Sequence, residues 1–137
     1  MKTLDMQVIR QLNLFEKICR VRTNNCFLYN NFLVFAVPSF QVSKAIGEEG
    51  RNIKKLVEIL GKKVKVVALP NGERGVKEFV LSIIHPLTFK DLKIEETRVV
   101  IEAGKKNKAA LIGRGRRRET ELSEILKFYF QKGLKIV

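Results

Sequence analysis

The chain has 137 residues, 45% of them hydrophobic, with nine Gly and three Pro. It lies outside the collagen-like, low-complexity and disordered classes, and its length suits one ordinary domain or two small coupled ones. Lys and Arg total 27 against 14 Asp and Glu, a net charge of +13, and no apolar run nears the roughly 18 residues of a membrane span, so the expected partner is nucleic acid and no membrane.

In chain order, segment 4–18 places Leu4, Val8, Leu12 and Phe15 on one face and predicts an amphipathic helix. The strand-like runs 20–28 and 32–37 flank Asn30-Asn31, a pair that tolerates the positive φ of a tight hairpin turn. After Pro38 a short helix is expected over 41–46, then an interruption at Gly47-Glu48-Glu49-Gly50. A second helix starts at Arg51, carries Ile53, Leu56, Val57 and Leu60 on one stripe and stops at Gly61. Residues 63–69 alternate and then become wholly apolar, which fits a strand in a sheet covered on one face. The Pro, Asn and Gly cluster at 70–75 reads as a linker, followed by a helix over 76–84 and a strand over 88–95.

Sliding the sequence on itself by 66 positions brings 32–37 onto 98–103 and Ile46-Gly47 onto Ile112-Gly113. The same shift brings Leu56, Glu58, Ile59 and Leu60 onto Leu122, Glu124, Ile125 and Leu126. Strand, Ile-Gly loop and helix recur in one frame, so each half is expected to be an α+β module running helix, strand, strand, helix, glycine loop, helix, strand. Charge is duplicated too. Residues 1–69 carry 12 basic and 5 acidic side chains and residues 70–137 carry 15 and 9, so neither half is a mere basic tail.

Chemistry-bearing residues are sparse. Cys19 and Cys26 are too few for a disulfide framework and have no zinc spacing, so they are expected as small apolar fillers. His85, the only histidine, precedes Pro86 and is expected in a turn or at the surface. The opening MKTLDMQVIRQL lacks the apolar core of a secretory signal, which points to the cytoplasm. Glu95, Glu96, Glu102, Glu119, Glu121 and Glu124 read as solvated charge and not as a metal-binding cluster, so no enzyme, cofactor, metal or small-molecule substrate is expected.

A glycine loop that starts a helix leaves backbone N–H groups able to bind phosphate, and glycines let the polyanion come close. Bases would be read in an apolar groove beside the loop, for which Ile46, Ile53 and Ile112 are the candidates. The stretches VSKAIGEEGRNIKKL (42–56) and KAALIGRGRRRETEL (108–122) resemble the KH domain of bacterial type. The tandem arrangement and the opening LNLFEKICRVR (12–22) are similar to the archaeal NusA-like transcription factors.

The resemblance implies two tandem type II (prokaryotic-type) KH domains, 1–69 and 76–137, joined by the linker 70–75. Each would be a small mixed three-stranded sheet covered by helices. It also implies single-stranded RNA as ligand, a role in transcription termination or elongation, and RNA polymerase as a candidate partner. A KH protein of another ribonucleoprotein, in translation or RNA processing, is the alternative. At 137 residues no counterpart of the polymerase-binding and S1 domains of bacterial NusA is expected, and their functions are not carried over.

Two departures bear on the sites. In the first loop Glu48 and Glu49 stand where phosphate should dock, which predicts a weakened module aided by Lys44, Arg51, Lys54 and Lys55 around Gly47 and Gly50. In the second loop, Gly113-Arg114-Gly115-Arg116, Arg116 replaces the closing glycine and is expected to hinder close approach of the backbone. The acid-free block of Lys105, Lys106, Lys108, Arg114, Arg116, Arg117 and Arg118 nevertheless makes this the stronger expected phosphate site.

Overall fold

The structure is a computed structural model that describes residues 6–137, so Leu4 of the first expected helical face lies outside the described residues. The chain divides into two compact units, one reaching Pro70 and one spanning Asn71–Val137. Each is α+β with a mixed three-stranded sheet.

The first unit comprises α1 (Met6–Cys19), β1 (Asn25–Tyr29), β2 (Phe32–Val37), α2 (Val42–Ile46), α3 (Arg51–Leu60) and β3 (Lys63–Ala68). β1 and β2 are antiparallel across Asn30 and Asn31, whose φ angles of 51° and 65° are those a two-residue hairpin requires. β3 returns parallel to β2, as the helical crossover between them dictates. Alternate residues of β2, Leu33, Phe35 and Val37, join Leu12, Phe15 and Cys19 of α1, Ala45 and Leu56 in one core. Phe15 and Phe35 stack with centroids 4.3 Å apart. Burying side chains of this size contributes about 1.5–3 kcal/mol each, so the stripe of α1 is what holds that helix to the sheet.

One expectation needs correction here. Residues 20–24 are not strand: Arg20 turns the chain at φ 58°, and Thr23 donates its hydroxyl to the Ala36 carbonyl and accepts from the Asn25 N–H.

The second unit comprises α4 (Val76–Ile84), β4 (Asp91–Ile94), β5 (Arg98–Glu102), α5 (Lys105–Ile112), α6 (Arg117–Phe130) and β6 (Gly133–Ile136). β4 pairs antiparallel and β6 parallel with β5, repeating the first sheet. Its buried side chains include Phe79, Ile83, Ile101, Leu111, Leu122, Ile125 and Leu126. Part of the segment expected as linker is ordered: Glu73–Gly75 form a 3-10 turn that runs into α4. Glu73 lies 3.1 Å from the Lys132 ammonium, which also donates to the Glu95 and Glu96 carbonyls at 2.7 Å each. A nearly buried lysine is tolerable because all these partners are oxygen acceptors.

The offset of 66 changes between the second and third strands of the sheets. Phe32 and Arg98 are 66 positions apart, but their parallel partners Lys63 and Gly133 are 70 apart. The four additional residues lie in α6, which has 14 residues against 10 in α3. Its last turn sets Tyr129 and Phe130 edge-on to Phe79, at 5.0 and 6.1 Å between centroids.

Candidate nucleic-acid interface

Both glycine loops sit between a short helix and a longer one, and their backbones match residue for residue. Gly47 and Gly113 close the short helices at φ 80°, ψ 167° and φ 77°, ψ 170°, a region open essentially to glycine alone. Their N–H groups donate to Ser43 and Ala109. The next residue is helical in sense, and two left-handed residues follow: Glu49 (φ 55°) and Gly50 (φ 72°) in one loop, Gly115 (φ 62°) and Arg116 (φ 60°) in the other. Gly50 N–H donates to Gly47, and Arg116 N–H to Gly113. Each loop therefore places one non-glycine residue in a left-handed position, at a cost of about 1–2 kcal/mol. A Cβ at Gly50 would meet nothing within 4 Å, which explains why Arg116 fits at the same place. The arginine leaves the path of the backbone unchanged.

The internal bonds also use the amides of Arg51 and Arg117, leaving those of Glu48 and Glu49, and of Arg114 and Gly115, as the remaining loop donors. In the first unit Glu48, Glu49, Arg51, Lys54, Lys55 and Glu58 line a depression of about 560 Å³. Three acids and three bases line it, so Arg51, Lys54 and Lys55 are balanced there in number, and Lys44, the fourth cation expected to aid the loop, is not among the lining residues. Lys44 is exposed on α2, Ile46 is half-buried, and Ile53 packs partly against the core, so its side chain serves the fold as well as any groove.

In the second unit Arg114, Gly115, Arg116 and Arg117 are exposed, and Ile112 is half-buried. Arg116, its side chain exposed, forms an ion pair at 3.4 Å with the half-buried Glu119. The basic block is not one cluster. Lys105 and Lys106 occupy the first turn of α5, about 10–12 Å along the helix from Gly113, with Lys108 between them and the loop. Asn107 pins that first turn by donating to the Thr88 carbonyl at 2.9 Å.

Asn52 escaped the sequence reading. Its amide donates to the Lys44 and Ala45 carbonyls, both at 3.2 Å, and at the matching position Arg118 donates to the Ala110 carbonyl at 3.0 Å. Phe40, in the turn entering α2, is 82% exposed.

Other titratable groups take structural roles. Burial pushes the Cys19 thiol up to about 11 and the Cys26 thiol up to about 12, so both are protonated at neutral pH. Desolvation lowers Lys65, whose ammonium stands 5.0 Å from the Phe32 ring centroid. The hydrogen bond from Arg98, 2.7 Å long, holds Glu95 below the usual carboxylate range. His85 is exposed at the end of α4. Among the described residues no helix is long and apolar enough to cross a membrane.

These features define a duplicated α+β protein in which each half presents a glycine loop at the start of a helix. No family model matches the sequence. It is similar to the "Probable transcription termination protein NusA" of Methanocaldococcus jannaschii, 30% identical over 92 residues that make up 67% of this chain and 49% of that protein. The protein of the same name from Methanococcus vannielii is 25% identical over 93 residues, 68% of this chain and 52% of that one. The chain thus spans about half the length of the curated relatives it matches. Its fold is similar to that in the crystal structure of APE1850, with a TM-score of 0.71 and 26% identity over 98% of this chain and all of the other.

Proposed function

We propose that the chain is a non-enzymatic, RNA-binding factor of transcription termination and elongation, acting in the cytoplasm. Its halves, 1–69 and 76–137 about the linker 70–75, are type II KH domains that hold single-stranded RNA, with RNA polymerase as protein partner. The second loop carries the main phosphate contacts through Arg114, Arg116 and Arg117, with Lys108 one turn away. The first is weaker, because its acids balance its bases. Phe40 offers an exposed ring on which a base can stack. The observation that carries this proposal is the pair of loops with one backbone conformation, each opening a helix, in a chain of charge +13. The names of the curated relatives support the transcriptional role.

Titration of random-sequence single-stranded RNA over a range of salt tests it. Each cation-to-phosphate contact is expected to add roughly 0.7 to the downward log–log slope. A flat salt response, or no binding at low salt, overturns RNA binding. Co-purification with ribosomal subunits in place of RNA polymerase overturns the transcriptional role alone.

A further inference from the structure

We infer that Arg118, with Asn52 at the matching place in the first unit, is a positioning residue that fastens the glycine loop to the helix before it, and that Arg118 does not belong among the phosphate-contacting cations. The inference rests on the loops binding RNA as proposed above.

The helix ends supply the reason. A short helix leaves its last carbonyls without intrahelical partners. In α2 the Gly47 N–H satisfies Ser43, and the next two carbonyls, of Lys44 and the fully buried Ala45, both accept from the Asn52 side chain. In α5 the Gly113 N–H satisfies Ala109, and the next carbonyl, of Ala110, accepts from Arg118 Nη1. Donor and acceptor are eight residues apart in both units, so a carboxamide and a guanidinium do one task at one place in the fold.

A second, independent observation involves the glycines. A Cβ on Gly47 would come within 2.9 Å of the Asn52 carboxamide, and a Cβ on Gly113 within 2.9 Å of Arg118 Cγ. The side chain thus lies across the glycine and holds it in the conformation from which the two left-handed residues follow. Arg118 is half-buried and committed to a carbonyl, whereas Arg114, Arg116 and Arg117 are exposed. Losing Arg118 should disorder the loop amides without removing a phosphate contact, and the shorter donor that serves the first unit should replace it.

The full-length variants Arg118→Ala and Arg118→Asn test this with labelled random-sequence single-stranded RNA and with hydrogen exchange of the loop amides. For Arg118→Ala the expected result is roughly tenfold weaker binding with the parent's salt slope, and Gly113 and Arg116 amides exchanging about tenfold faster. Arg118→Asn should regain most of the affinity and parent-like protection. A slope lower by roughly 0.7 in both variants, with no rescue by asparagine, identifies Arg118 as a phosphate contact and overturns the inference. Unchanged loop protection in Arg118→Ala overturns it too. If Arg118→Ala does not fold, Arg118→Asn decides through its slope and loop protection. If the parent binds no RNA, the proposed function fails, yet the exchange measurement still decides whether Arg118 fastens the loop.

Discussion

In the first unit the two left-handed positions of the glycine loop are occupied by Glu49 and then Gly50. In the second the order is reversed, with Gly115 and then Arg116, and the φ angles at matching positions differ by no more than 12°. A conformation that survives such an exchange is set by what surrounds it: the glycine before the loop, the donor behind it and the helix it opens. Side chains within the loop are then available to set charge. In one unit they present two carboxylates with bases around them, in the other arginines, so the two halves are the same device with a balanced charge at one loop and a positive charge at the other.

Breaking the shared element should have the largest effect. Gly113→Ala places a methyl group in a region nearly closed to other residues, worth about 1–3 kcal/mol of strain, and also displaces Arg118. The second unit should melt well below the parent, by roughly 4–8 °C per kcal/mol, as scanning calorimetry would record. A parent-like melting temperature would mean that the glycine is not needed for the loop conformation.

Reversing the sign of the second loop comes next. Arg114→Asp with Gly115→Asp should weaken RNA binding by tenfold or more, because a cation is lost and two carboxylates face the phosphate. Its effect on folding should stay near 1 kcal/mol, since a side chain at 115 points into open space and Glu49 already tolerates the same backbone. The converse change, Glu48→Lys with Glu49→Gly, should strengthen binding severalfold and steepen the salt slope by up to about 0.7. If the first pair leaves affinity intact and the second does nothing, the loops do not hold the phosphates.

The smallest effect should come from relieving one left-handed residue. Glu49→Gly should stabilise the first unit by about 0.5–1 kcal/mol. The Cys19 thiol lies in that unit, is buried and is held protonated by that burial, so its labelling rate at mildly alkaline pH follows the unit's opening. A two- to fivefold slowing is the expected reading, from about 0.5–1 kcal/mol. Faster labelling would mean that Glu49 gains more from its place than the backbone loses.

Much of this was legible in the sequence, for a local reason. Asn30-Asn31, Gly61 and the stripe of Leu12 and Phe15 encode a turn, a stop and a buried face through their own neighbours, and the offset of 66 located the second loop from the first. The failures involve partners distant in sequence or conformations that a residue type disfavours. Val21 and Thr23 resemble strand residues, yet Thr23 is claimed by Ala36, thirteen positions away. Nothing in the residue types told that Arg118 would do for α5 what Asn52 does for α2, since the shared feature is only a donor N–H in reach of a helix end. Arg116 was expected to hinder close approach of the RNA backbone, and the structure adds that the loop itself accepts an arginine there at φ 60° with its path unchanged.

The added stretch of α6 shows which length changes such a unit can absorb. Four residues advance a helix by about 400°, so the chain leaves α6 rotated by only about 40° from where a helix of the length of α3 would release it, and about 6 Å farther along. β6 can therefore still enter the slot beside β5, with Gly133 opposite Arg98. Two added residues would have rotated the exit by about 200°, onto the side away from the sheet. Rotational phase thus limits how far the two copies can diverge in length at this helix: near-whole turns preserve the parallel pairing that closes the sheet, and half turns break it.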